Sequence, residues 1–209
     1  MNAQTLRRSV AGPAGLIECA IDGAHPSASR GVAVLCHPHP QHGGTMDNKV
    51  VQTLARAMAL LGYTSVRFNF RGVGGSQGHW DEGRGEIDDA LAVIAAERTA
   101  GQPLVLGGFS FGAYVASQAA ARLGAQQGPE RLVLVGPAVQ SFDVAPVPAG
   151  TLVVHGERDD VVPLSAVFDW ARPQALPVTV LPGAGHFFHG QLSVLRQIVI
   201  AAWPPLPAA

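Results

Sequence analysis

Short, continuous apolar runs rich in Val, Ile and Leu recur along this chain, and a segment with helical spacing separates each from the next. That alternation constrains the fold more than any other feature. A strand apolar on both sides must be covered on both sides, which calls for a largely parallel sheet between two layers of helices. The strand-like runs are residues 31–36, 64–70, 104–107, 132–135, 151–154 and 178–181. Between them, helical spacing covers 50–61, closed by Gly62, and about 85–99, where Glu86, Asp88 and Asp89 suit the positive end of a helix dipole. Further helices are read over 113–123, after Pro163, and over about 190–203. Residues 6–10 and 16–21, around Gly12-Pro13-Ala14-Gly15, read as a leading antiparallel hairpin. The expectation is one α/β domain over 1–209: a mostly parallel, twisted sheet of about eight strands with helices on both faces. The proline-rich tail 203–209 reads as a loose end.

Composition removes several classes of function. Fourteen basic residues against 15 acidic ones leave a net charge of -1, with no basic excess to neutralise a nucleic-acid backbone. Lys49 is the only lysine and sits in Asn48-Lys49-Val50, so there is no Gly-Lys-Ser/Thr phosphate loop. Cys19 and Cys36 are too few for a disulfide framework or a four-cysteine zinc site and read as small buried apolar residues. The first ten residues lack the apolar stretch of a signal peptide, and no apolar run approaches the ~20 residues of a membrane span. A cytoplasmic protein without a membrane or nucleic-acid partner is expected.

In a sheet of this kind, ligands bind beyond the carboxyl ends of the strands. The loops there hold His37-Pro38-His39-Pro40, Arg71-Gly72-Val73-Gly74-Gly75-Ser76, Ser110, Gly156-Glu157-Arg158-Asp159-Asp160 and His186. Gly108-Phe109-Ser110-Phe111-Gly112 matches G-x-S-x-G, directly after a strand and directly before a helix. The glycines fit a tight turn, since bulk two residues either side of the serine would strike the neighbouring strand and helix. A helix start there would aim free N–H groups at a developing oxyanion. A serine hydroxyl needs a base, and the base needs an orienting acid. Downstream histidines are His155, His186 and His189; His155 ends a strand and reads as an anchor for the turn. His186, in the glycine-bearing loop 182–188, is the candidate base because glycines let its ring swing over the serine, with His189 as fallback. The acid lies among Glu157, Asp159 and Asp160, and Asp160 also suits a cap on the helix after Pro163.

The elbow at 108–112, the H-G-x-x-D turn at 155–159 and the G-x-G-H loop at 183–186 together resemble the α/β-hydrolase superfamily across essentially the whole chain. The loop 71–76 resembles the R-G-x-G-x-S turn common in that superfamily. His37-Pro38-His39-Pro40 with residues 43–50 (GGTMDNKV) resembles a branch of small bacterial hydrolases related to dienelactone-hydrolase-like and short-chain esterases. Dienelactone hydrolases carry cysteine at the elbow, where this chain has Ser110. The resemblance implies a Ser110–His186–Asp159 triad, with Asp159 as the acid. It also implies an oxyanion hole from the Phe111 amide and a donor after the strand ending at Cys36. Pro38 and Pro40 have no N–H, so His39 is the donor left in that motif.

His37, His39 and His42 invite a metal reading, but the prolines splay them and no H-E-x-x-H is present, so no metal is expected. Gly72-Val73-Gly74-Gly75-Ser76-Gln77-Gly78 misplaces the third glycine of a dinucleotide fingerprint and is not in the first βα turn. No cofactor is expected. His37, Trp80 and Phe187 are candidates to contact substrate. About 15 residues between the strands at 132–135 and 151–154 are too few for a helical cap, so an open site is expected. The expected reaction is hydrolysis of small or accessible carboxylic esters or thioesters. Acyl transfer or peptide cleavage on the same residues, or a non-catalytic binding role, stand as alternatives. An unpaired edge strand admits a homodimer.

Overall fold

A computed structural model describes residues 5–23 and 29–203; the tail 204–209, read above as loose, lies outside them. Its strands are β1 (Leu6–Gly12), β2 (Gly15–Asp22), β3 (Val32–Cys36), β4 (Thr64–Phe68), β5 (Leu104–Phe109), β6 (Arg131–Val135), β7 (Leu152–Gly156) and β8 (Val178–Leu181). Its helices are α1 (Lys49–Leu60), α2 (Arg84–Glu97), α3 (Phe111–Gln127), α4 (Leu164–Ala171) and α5 (Leu192–Ala201). The eight strands form one sheet in the order β1-β2-β4-β3-β5-β6-β7-β8. The β1–β2 hairpin joins antiparallel to β4, and every other pairing is parallel. This is the expected α/β architecture. Side chains from α2 and α3 pack on one face of the sheet, and those from α1 and α5 on the other. A smaller cluster under α4 closes the β7 end. Residues 136–151 hold turns but no helix, so no lid covers the carboxyl edge of β6.

Element ends differ from the sequence reading where hydrogen bonds to distant residues decide them. β4 ends near Phe68: Asn69 N–H still donates to Glu18 O of β2 at 2.9 Å, but the Phe70 amide leaves the ladder and donates to His37 Nε2 at 3.1 Å. β5 runs two residues further than expected, since Gly108 and Phe109 stay paired with Leu134 and Val135. α3 continues to Gln127 across a break at Gly124, which adopts φ 64°. Of the three acids expected to favour the α2 dipole, only Glu86 serves its start, accepting from the amides of Asp81 (3.0 Å) and Gly83 (2.8 Å). Asp89 instead grips Arg71 and Asp88 pairs with Arg122. Trp203 is not loose: it is buried against Tyr63, donating from Nε1 to the tyrosine oxygen at 3.1 Å.

Candidate active site

The glycines of the elbow are dictated by close backbone approach. A Cβ on Gly108 would stand 2.1 Å from Gly112 O, and one on Gly112 would stand 2.2 Å from Cys36 O. With neither Cβ present, α3 starts hard against the ends of β3 and β5. Ser110, between them, holds φ 56° and ψ -118°, a conformation side-chain-bearing residues seldom adopt. Its amide donates to Val135 O at 2.9 Å, which ties the strained turn to β6.

Two further loops bring His186 and Asp159 to this serine. Gly156 lacks a Cβ that would sit 2.4 Å from Ala184 O, so the turn after β7 presses directly on the loop after β8. Arg158 N–H donates to Ala184 O at 2.8 Å, and Gly183 N–H to Glu157 Oε2 at 2.7 Å. Phe188, fully buried at φ 52°, pins the far end. The loop expected to swing is therefore clamped at both ends. Within it, His186 Nε2 lies 3.0 Å from Ser110 Oγ, and Nδ1 lies 2.7 Å from Asp159 Oδ2. With the ring neutral, Nδ1–H donates to the carboxylate and Nε2 accepts from the serine hydroxyl.

Asp159 is held from its other side too. Its Oδ1 accepts from the amides of Val161 (2.9 Å) and Val162 (2.7 Å). Burial alone would raise its pKa, but the bonds from His186 and Val162 outweigh burial and hold the carboxyl below its usual range. The cap expected of Asp160 is not formed: Pro163 stands at the N-cap of α4 without a side-chain bond. His155, as expected, braces the turn. Its Nε2 is 2.9 Å from Val162 O and 3.4 Å from Asp159 Oδ2, and burial pulls its pKa down.

The loop after β3 settles differently from expectation. His37, a candidate for substrate contact, is buried with no exposed surface. Nδ1–H donates to Pro38 O at 2.6 Å and Nε2 accepts from Phe70 N–H, so both nitrogens are consumed by backbone. It is a brace for the loop, and that contact role is withdrawn. His39 turns the other way. Its ring meets Trp80 (centroids 4.6 Å apart), Phe111 (5.2 Å) and His42 (4.4 Å). Burial, then the neighbouring His42, lower its pKa. The His39 side chain thus lies against Phe111, whose amide opens α3 and has no intrahelical acceptor. Phe187 is 44% exposed, with its ring 5.1 Å from that of His186. Sequence reasoning missed Phe142, which packs 5.0 Å from Phe111 and 5.7 Å from His39. An isolated aromatic in an irregular segment gives no periodic signal. Among the described residues, no group of three or more His, Cys, Asp or Glu could hold a metal ion.

The GGTMDNKV segment is the scaffold for this loop. Gly44 fits under Pro38 O, where a Cβ would approach to 2.1 Å. Met46 N–H donates to Asn69 Oδ1 at 2.8 Å, Asp47 takes Arg67 at 3.1 Å, and Asn48 caps α1 through the amides of Val50 and Val51. Arg71 forms a fork on Asp89 (3.0 and 2.8 Å), seated where Gly85 has no Cβ. That ties the 71–76 loop to α2.

A lidless α/β sheet carrying a serine at the strained turn between its fifth strand and the following helix defines an α/β serine hydrolase. Residues 28–148, more than half the chain, match the family model described as serine aminopeptidase, S33, and the chain belongs to that family. It is similar to an α/β serine hydrolase without lid from Xanthomonas campestris, with 38% identity, a TM-score of 0.86 and 99% of each chain covered. An α/β serine hydrolase homologue from Coxiella burnetii is 38% identical, with a TM-score of 0.85 over 98% of this chain and 99% of that one. An uncharacterised protein of Rickettsia prowazekii is 34% identical over 195 residues, 85% of this chain and 79% of its own length. No helix among the described residues is long and apolar enough to cross a membrane.

Proposed function

We propose that this chain hydrolyses carboxylic esters or thioesters of small or accessible acyl groups through an acyl-enzyme on Ser110. One observation carries the reading: the unbroken chain from Ser110 Oγ through His186 (3.0 Å) to Asp159 (2.7 Å). Ser110 Oγ attacks the substrate carbonyl while His186 Nε2 takes its proton. The tetrahedral oxyanion sits on the backbone N–H groups of Phe111 and His39. Asp159 keeps Nδ1 protonated and stabilises the imidazolium, which then gives its proton to the departing alcohol or thiol. Water, deprotonated by His186, releases the acid and restores Ser110. The atoms balance without a cofactor or metal. The rings of Trp80 and Phe142, packed on the buried Phe111, and the exposed Phe187 beside His186 support neutral acyl groups over amino-terminal residues, whose ammonium would need an acidic partner. Two free, buried cysteines fit action in a reducing cytoplasm.

Intact mass after treatment with a fluorophosphonate tests the activated serine without knowledge of the substrate. Wild type should gain one adduct and Ser110→Ala none, and esterase turnover should fall by roughly 10³-fold or more in the variant. Folded wild type without an adduct would overturn the proposal. Faster turnover of amino-acyl anilides than of short-chain esters would replace it with a peptidase.

A further inference from the structure

A concavity of about 410 Å³ lies between α1 and α5, apart from the serine site. Lys49, Gln52, Thr53 and Arg56 line it from one face of α1, and Leu192, Ser193 and Arg196 from the start of α5. Lys49, Arg56 and Arg196 have no carboxylate or carbonyl partner among the described residues. Elsewhere, seven arginines each hold a carboxylate. Asp47 also lines the concavity but does not neutralise it. Its carboxylate is committed to Arg7 (3.0 Å) and Arg67 (3.1 Å). The Gln52 amide and Thr53 hydroxyl are likewise turned onto backbone carbonyls, at 2.7 Å each. The Ser193 hydroxyl makes no bond among the described residues.

A chain with only 14% charged residues has thus gathered three unpaired cations and a free hydroxyl round one hollow. Their mutual repulsion is relieved by a compact anion of multiple charge. Guanidinium forks match the tetrahedral oxygens of phosphate, and the volume suits a small ligand rather than a nucleic-acid strand. Lys49 and Leu192 open α1 and α5, the helices whose preceding loops carry His39 and His186. Leu192 follows His186 by six residues, a reach of at most ~20 Å.

We propose that the hollow between α1 and α5 binds a phosphate-bearing anion. The phosphate is carried either on the acyl substrate, an assignment that rests on the hydrolase reading, or on a free regulator. Pyrophosphate titrated calorimetrically into the full chain at low ionic strength tests the binding itself. Wild type and Arg172→Gln, which loses a cation outside the hollow, should bind it saturably. Lys49→Gln/Arg56→Gln/Arg196→Gln should bind about tenfold or more weakly, with an unchanged circular dichroism spectrum. Should the triple variant fail to fold, Arg196→Gln alone should still weaken binding. No binding to wild type, or equal binding to folded variants, overturns the proposal. Kinetics then separate the sources. A substrate-borne phosphate raises KM for a phosphorylated ester relative to a neutral one in the variant. A free regulator makes pyrophosphate change the wild-type rate on the neutral ester. The calorimetry stands even if no ester is turned over.

Discussion

His37 is a neutral imidazole fixed between two backbone groups, and this makes it a pH-dependent part of the fold. Burial lowers its pKa from the ordinary 6.5 to about 4, against a weaker raising effect of the Pro38 carbonyl. Unfolded, the ring takes a proton below ~6.5; folded, it refuses one until about pH 4. The unfolded state binds more protons across that window, so stability falls as pH drops through it and levels off below. The loss is of order 3 kcal/mol. Urea denaturation of wild type at pH 7, 5.5 and 4 should show this decline. His37→Asn should flatten it, leaving a residual slope from His155 and His39, whose pKa values burial also lowers; an unchanged slope would refute the assignment. In sequence, His37 and His39 are equivalent members of one motif. Only the Phe70 amide, 33 residues away, turns one inward, and no local pattern encodes that contact. The same holds for the acid. Three carboxylates crowd residues 157–160, and family resemblance rather than spacing singled out Asp159. The Val161 and Val162 amides that hold it become visible only in the folded turn.

At the scale of elements, the strand-turn-helix unit around Ser110 was the most legible part of the chain. Its continuous apolar strand, paired glycines and helix all point to one geometry, and packing agrees with each. Less legible were element ends such as that of β4, set by the Phe70 amide, which bonds to the distant His37 side chain. The elbow glycines differ in kind from glycines that only serve a turn. A methyl on Gly108 would meet backbone at 2.1 Å, and neither α3 nor β5 can retreat without breaking the sheet. Gly101, at φ 75°, has nothing within 4 Å of an added Cβ. Gly101→Ala should therefore cost only about 1 kcal/mol, from left-handed backbone strain, and leave ester turnover intact. Gly108→Ala should abolish fluorophosphonate labelling or folding altogether. Melting temperature and labelling measured side by side check the contrast. A labelled, stable Gly108→Ala would mean that the elbow relaxes where the structure says it cannot.

Across the described residues, the same sheet edge carries every loop of the site, and no helical lid is inserted over it. Residues 136–151 run from β6 to β7 as turns, packing Phe142 on Phe111 but placing no helix above the site. A hydrolase with a lid must displace it, and an oil–water interface assists by binding the exposed apolar underside. Here the loops are already fixed: His186 is clamped from both ends, and the His39 loop is tied to β4 and α1. Opening costs no free energy, so no interface is needed to supply it. The rate on a short-chain ester should rise hyperbolically with concentration and pass the solubility limit without a step. Substrate tethered to a bulky carrier should still be cleaved, because an open rim admits what a tunnel would exclude. Initial rates on tributyrin, measured from below to above its solubility limit, decide the matter. A jump at the limit would mean that a part of this rim moves as a lid, and residues 136–151 would be the segment to restrain first.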